Sequence, residues 1–129
     1  MPKVFRKILI IDDEEAIREV IRVTLETLSG WEAGTARSGK EGVAMAAVDP
    51  PDAILLDVMM PEMDGPRTLM ELQSNPATQN IPVLFLTAKV QGADIRKLQT
   101  LGAKAVIAKP FDPVCLAQEV ARALGWEAE

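Results

Sequence analysis

Five residues of this 129-residue chain could act together on a phosphorus-containing group if the fold gathered them: Asp12, Asp13, Asp57, Thr87 and Lys109. Each follows or closes a short apolar run. Asp12 and Asp13 come after Ile8-Leu9-Ile10-Ile11, and Asp57 closes Ala53–Asp57. Thr87 follows Pro82–Leu86, and Lys109 follows Lys104–Ala108. Three carboxylates crowded together repel one another, which raises their pKa values or destabilises the fold. A hard divalent cation resolves the repulsion. Mg²⁺ prefers oxygen ligands and commonly binds through one or two carboxylates plus a phosphate. Asp57, central in such a cluster, is the best-placed carboxylate to attack phosphorus and form an acyl phosphate. Lys109 offers a point charge to one phosphoryl oxygen, and the Thr87 hydroxyl can donate to another. In chemistry of this kind alignment and charge neutralisation do most of the work.

The elements that must position these residues alternate strictly. The apolar runs Lys7–Asp12, Glu32–Ala36, Ala53–Asp57, Pro82–Leu86 and Lys104–Ala108 read as strands. Between and after them, five stretches read as helices. Glu14–Leu28 carries Ala16, Ile17, Val20, Ile21, Val23, Leu25 and Leu28 at helical spacing, with Asp13 available as its cap. Ser38–Val48 starts at a capping serine, and Pro66–Ser74 carries a proline where the first turn tolerates it. Gln91–Leu101 is stopped by Gly102, and Asp112 caps a last helix ending near Gly125. Continuous apolar strands suit a parallel sheet covered on both faces. Right-handed crossovers then favour an open, doubly wound α/β sheet, because a barrel needs eight such units. In that architecture all strand carboxyl ends share one edge, where such folds bind ligands. The five polar residues would meet there.

The bulk composition agrees with one domain spanning residues 1–129, with a core over about residues 6–125. Apolar residues make up 48% and charged residues 26%, enough to fill a core. Fourteen basic against nineteen acidic residues give a net charge of −5 and no basic footprint, so direct nucleic-acid binding is not expected. The single cysteine, Cys115, forms no internal disulfide and reads as a small hydrophobe. No apolar stretch has the length to cross a bilayer, so a cytoplasmic location is expected. The absence of histidine excludes Ser-His and Cys-His nucleophile pairs and imidazole-based zinc sites. Any phosphohistidine must therefore belong to another protein.

Four segments, in order and each at a strand end, carry a resemblance over essentially the whole chain. They are Ile11-Asp12-Asp13-Glu14, Leu55-Leu56-Asp57-Val58-Met59-Met60-Pro61-Glu62-Met63-Asp64-Gly65, Leu86-Thr87-Ala88 and Ala108-Lys109-Pro110-Phe111. The sequence resembles the receiver domains of two-component response regulators. That resemblance implies a flavodoxin-like five-stranded sheet of order 2-1-3-4-5 with helices on both faces. It implies Asp57 as phosphoacceptor, Thr87 as switch hydroxyl and a cis Lys109–Pro110 bond. It also implies Mg²⁺ held by Asp12, Asp13, Asp57 and the Met59 carbonyl, with no organic cofactor. The phosphoryl donor would be a histidine kinase or histidine phosphotransfer protein in trans. The chain would act as a switch and not as a turnover enzyme.

Taken singly, each residue has an ordinary reading: Asp13 as a helix cap, Asp57 as a turn residue, Thr87 at a strand edge, Lys109 solvated. Jointly these would have to place five residue types at one sheet edge by accident. A dehalogenase-like phosphatase needs a second aspartate where this chain has Glu14. The remaining alternative is a receiver-like scaffold that binds partners without phosphorylation. Two departures stand out. Many receivers have an aromatic residue where this chain has Val106, and tyrosine is absent altogether. Met59 and Lys89, two residues beyond Asp57 and Thr87, occupy the family's positions that tune phosphoryl lifetime. The face of the fourth helix, fifth strand and fifth helix, with Lys89, Arg96, Lys97 and Lys104, is the expected partner surface. No output domain is expected from the residues after the last helix, and the chain reads as a stand-alone regulator or a fragment of a longer one.

Overall fold

The computed structural model describes residues 6–88 and 91–126. Five parallel strands, β1 (Lys7–Ile11), β2 (Glu32–Ala36), β3 (Ala53–Asp57), β4 (Val83–Thr87) and β5 (Ala105–Ala108), form one sheet of order β2-β1-β3-β4-β5. The helices are α1 (Glu15–Thr24), α2 (Gly39–Val48), α3 (Gly65–Gln73), α4 (Gly92–Thr100) and α5 (Pro113–Leu124). The doubly wound α/β expectation and its strand order are met.

Successive strand residues face opposite ways, and the sheet uses both faces. Ile8, Ile10, Leu55, Leu84, Leu86 and Ile107 pack with Ile21 of α1 and Leu116 and Val120 of α5. Leu9, Ile11, Ile54, Leu56 and Phe85 pack with Ala46 of α2, Leu69 and Leu72 of α3 and Leu98 of α4. β3 and β4 are buried along their whole length. Burial on both faces is why these runs carry no polar alternation.

Helix starts follow the capping chemistry only in part. The Ser38 Oγ accepts from the Glu41 N–H, and Asp112 accepts from the Val114 N–H, both as the sequence implies. Asp64 caps α3 by accepting from the Arg67 N–H, a role the sequence reading left unassigned. Asp13 does not cap α1. That helix begins at Glu15, and the carboxylate of Asp12 takes the Glu14 N–H at 2.8 Å instead. The helical run, Glu15 to Ser29, has nearly the extent its periodicity suggests, but it is not α-helical throughout. It widens into a π-helical turn, Leu25–Ser29, closed by Gly30 at φ 69°. Only Ile21 and Leu25 of its apolar positions are fully buried, while Val20, Val23 and Leu28 face solvent. Cys115 is exposed rather than part of the core, and the neighbouring Asp112 charge pushes its thiol pKa up, away from the reactive thiolate.

At the amino end of the strands Trp31 meets Trp126 edge to face, with ring centroids 5.5 Å apart. The Arg6 guanidinium lies 4.4 Å over the Trp126 ring. This aromatic clasp joins the start of β1, the start of β2 and the end of α5, at the end of the sheet opposite the acidic residues.

Candidate functional site

Strand register brings the site together. Ile11 pairs with Leu56, so Asp12 and Asp57, each one residue further on, emerge at the same level from adjacent strands. Asp57 pairs with Leu86, and Thr87 pairs with Ala108, which places Lys109 one step beyond Thr87. The Lys109 N–H donates to the Thr87 carbonyl at 2.8 Å. The Lys109–Pro110 peptide is cis, as expected from the sequence.

Asp12 is fully buried and held on every side. Its N–H donates to the Ala36 carbonyl, and its Oδ1 accepts from the Glu14 N–H. Its Oδ2 accepts from Lys109 Nζ at 3.1 Å. The Arg18 guanidinium donates to its carbonyl at 2.8 Å, a contact not anticipated from the sequence. A side chain reaching back six residues has no periodic signal, although an arginine at the end of the first helical turn after an acidic pair is the cue that was available.

Asp57 is 3% exposed, and its Oδ1 accepts from the same Lys109 Nζ at 3.1 Å. Burial raises the Asp57 pKa to about 6, with the Asp12 charge adding to it and Lys109 and the Met59 N–H offsetting part. Burial works against the charge of Lys109, yet its hydrogen bonds to Asp12 and Asp57 hold its pKa above the ordinary lysine value. One ammonium between two buried carboxylates leaves a net negative charge, and Asp13 adds a third carboxylate at the exposed edge. One oxygen from each of Asp12, Asp13 and Asp57 lies within 4.8 Å of the others. An all-oxygen donor set with surplus negative charge, partly open to solvent, fits a hard divalent cation that keeps several waters.

Thr87 ends β4 and is 2% exposed. Met59 reaches the surface with 62% of its area exposed. The loop from Val58 returns to α3 through Glu62, which holds a positive φ of 65°, and the Gly65 N–H donates to the Val58 carbonyl.

Residues 8–121 match the family described as the response regulator receiver domain. The chain belongs to this family. It is 43% identical over 111 residues to the response regulator PleD of Caulobacter vibrioides, covering 85% of this chain and 24% of that protein. It is 39% identical over 108 residues to the alkaline phosphatase synthesis transcriptional regulatory protein PhoP of Bacillus subtilis, covering 84% of this chain and 44% of that one. The chain thus spans less than half the length of these relatives. Among solved structures, the chemotaxis response regulator CheY4 of Vibrio cholerae superposes with a TM-score of 0.87 at 30% identity, covering 93% of this chain and 99% of that one.

Receiver domains act as signalling switches, and the family typically binds Mg²⁺. Among the described residues no helix is long and apolar enough to cross a membrane. On the receiver face formed by α4, β5 and α5, Arg96, Lys97 and Lys104 are exposed, while Lys89 lies outside the described residues. Val106, where an aromatic is frequent, is half-buried against the cluster that includes Leu98 of α4.

Proposed function

We propose that this receiver takes a phosphoryl group from a phosphohistidine of a partner protein onto Asp57, and that the aspartyl phosphate changes its partner-binding surface. The donor is a histidine kinase or histidine phosphotransfer protein of the cytoplasm, since the chain has no histidine of its own. The observation that carries the reading is the Asp12–Lys109–Asp57 bridge beside Asp13. It combines a buried nucleophilic carboxylate, a fixed cation and a hard-metal donor set in one place.

With its pKa near 6, Asp57 is largely ionised at neutral pH and can attack phosphorus. Lys109 is held 3.1 Å from the Asp57 carboxylate, where it can pair with an incoming phosphoryl oxygen. In this reading the Thr87 hydroxyl binds a second phosphoryl oxygen, and that attraction is the switching event. Asp12, Asp13, Asp57 and the Met59 carbonyl would hold Mg²⁺. When bound, the ion supplies charge neutralisation for the carboxylates and the transferred group. With valine at position 106 the readout has no aromatic rotation to use. It passes instead through the segment after Thr87 into α4.

Intact mass after incubation with acetyl phosphate and Mg²⁺ tests the chemistry. One added phosphoryl group is expected, absent in Asp57→Asn and absent without metal. No adduct, together with failure to form a stable beryllofluoride complex, would leave the phosphorylation-independent scaffold as the better reading.

Met59 sets a further expectation. Its thioether cannot orient a water by hydrogen bonding, and it stands exposed two residues from the acceptor. Asn at this position supplies donors and an acceptor. Met59→Asn is therefore expected to shorten the phosphoryl lifetime severalfold, measured by phosphate release. An unchanged lifetime would show that the thioether does not shield the acyl phosphate.

A further inference from the structure

An open groove of about 410 Å³ runs beside the acidic site, between α1 and the segment joining β5 to α5. It is lined by Ala16, Ile17 and Val20 of α1, and by Ala88, Pro110, Phe111 and Pro113 across from them, with Lys109 at one side. Among the described residues Lys109 is the one charged member of the lining, and its ammonium is the group that bridges Asp12 and Asp57. In the strand alternation Asp57 shares the side of Leu55, which faces α1 and α5, so acceptor and groove lie on the same side of the sheet. Ala88, next to Thr87, is exposed and lines the groove. The arrangement is a cation at the acceptor followed directly by an apolar, aromatic-walled trough.

We infer that the groove beside Lys109 is a leaving-group subsite, and that it makes acyl phosphates with a flat aromatic acyl group better small-molecule donors than acetyl phosphate. This rests on the reading of Asp57 as phosphoacceptor and adds a substrate class to it. The phosphoryl group of such a donor lies against Lys109, and its ring lies along Ile17, Val20 and Phe111. The Asp57 carboxylate oxygen forms the new bond to phosphorus as the bond from phosphorus to the acyl oxygen breaks. The aromatic carboxylate leaves with that electron pair, already ionised, so no proton is required. Both donors carry the same phosphoryl anion, and the ring is the difference between them. An apolar pocket discriminates about 10-fold or more for each methylene-sized group it buries well. In an open groove a whole ring is expected to gain about tenfold.

The test compares benzoyl phosphate with acetyl phosphate as donors to the full chain with Mg²⁺, scoring Asp57 phosphorylation by intact mass. The half-saturating concentration is expected to be about tenfold lower for benzoyl phosphate. Ala16→Leu, which fills the groove from an exposed helix position, should remove that advantage and leave acetyl phosphate unchanged. A second readout needs no phosphorylation: benzoate titrated into the metal-free protein should shift the amide resonances of Ile17, Val20 and Phe111, and acetate should not. Equal half-saturation for the two donors, or benzoate shifts absent from these residues, overturns the subsite while leaving the acceptor role of Asp57 intact. Failure of both donors to modify Asp57 would overturn both.

Discussion

Asp57→Asn is expected to abolish phosphoryl uptake and, in metal-free buffer near pH 8, to raise the melting temperature. The same arrangement causes both effects. Asp57 is buried beside Asp12, and its pKa is raised from 3.8 to about 6. An unfolded aspartate titrates near 3.9, so between about 4 and about 6 the folded state binds more protons than the unfolded one. Stability therefore falls as pH rises through that window, and the full cost of the ionised carboxylate is present above it. A raised carboxylate pKa thus acts opposite to the usual salt-bridged aspartate, which stabilises the fold at neutral pH. Asparagine removes the charge but also takes an anionic partner from Lys109. The expected net gain is about 1–2 kcal/mol, which at this chain length corresponds to roughly 3–8 °C in melting temperature. The gain should shrink as pH falls and vanish below about pH 3, where an aspartate of either pKa is protonated. Saturating Mg²⁺ should narrow the gap at pH 8 by stabilising the wild-type chain more than the variant. Melting curves of both proteins across pH, with chelator and with Mg²⁺, measure all of this. A variant that melts lower than wild type at pH 8 without metal would show that the Lys109 bridges outweigh the crowding of Asp12 and Asp57.

The features on which this expectation depends were unequally legible in the sequence. β2 and β3 have the bounds that their residues imply, because Gly30-Trp31 and Pro50-Pro51 punctuate the chain just before them. Parallel register carries that accuracy to the site. Once β1 and β3 end at Ile11 and Asp57, the meeting of Asp12 with Asp57 follows without any side-chain information. The first helix was harder, because Ala16, Ile17, Val20, Ile21, Val23, Leu25 and Leu28 form a stripe wider than the face that packs. Periodicity cannot say that only the line through Ile17, Ile21 and Leu25 turns inward, since that depends on α5 lying alongside. The surplus is informative in another way: Ala16 and Val20 line the groove beside Lys109. Asp13 was misread as a cap because a carboxylate one residue earlier, Asp12, is equally able to take a helix-start N–H. Burial of Asp12 under the sheet edge decides between them. The tether from Arg18 to the Asp12 carbonyl and the exposure of Cys115 depend on rotamers and neighbouring helices, which local sequence does not encode.

Gly65→Ala is expected to lower stability and slow phosphorylation together, for a steric reason that helix propensity would miss. Gly65 opens α3, and alanine is ordinarily better there by up to ~1 kcal/mol. A Cβ at this position, however, would stand 2.6 Å from the Asp57 carbonyl oxygen, 2.8 Å from Val58 Cα and 2.9 Å from Phe85 Cε1. Two of these neighbours are backbone at the end of β3 and cannot rotate away, and the third is the fully buried Phe85 ring. Overpacking of this kind costs about 1–3 kcal/mol, enough to reverse the propensity gain and to lower the melting temperature by several degrees. Relief requires the start of α3 to move off β3, and the first backbone pushed is that of Asp57 itself. The acceptor carboxylate then shifts relative to Lys109, whose ammonium is anchored independently on Asp12. Gly34→Ala provides the contrast, because its Cβ would meet only Leu9 Cδ1 at an ordinary 3.8 Å. That variant should melt within about 0.5 kcal/mol of wild type, as substitutions without a steric conflict do. Melting temperature and the rate of phosphorylation by acetyl phosphate, measured on both variants at a temperature where each is folded, separate the two effects. A Gly65→Ala protein that is less stable yet phosphorylated at the wild-type rate would show that the end of β3 holds its position and that the strain is absorbed within α3.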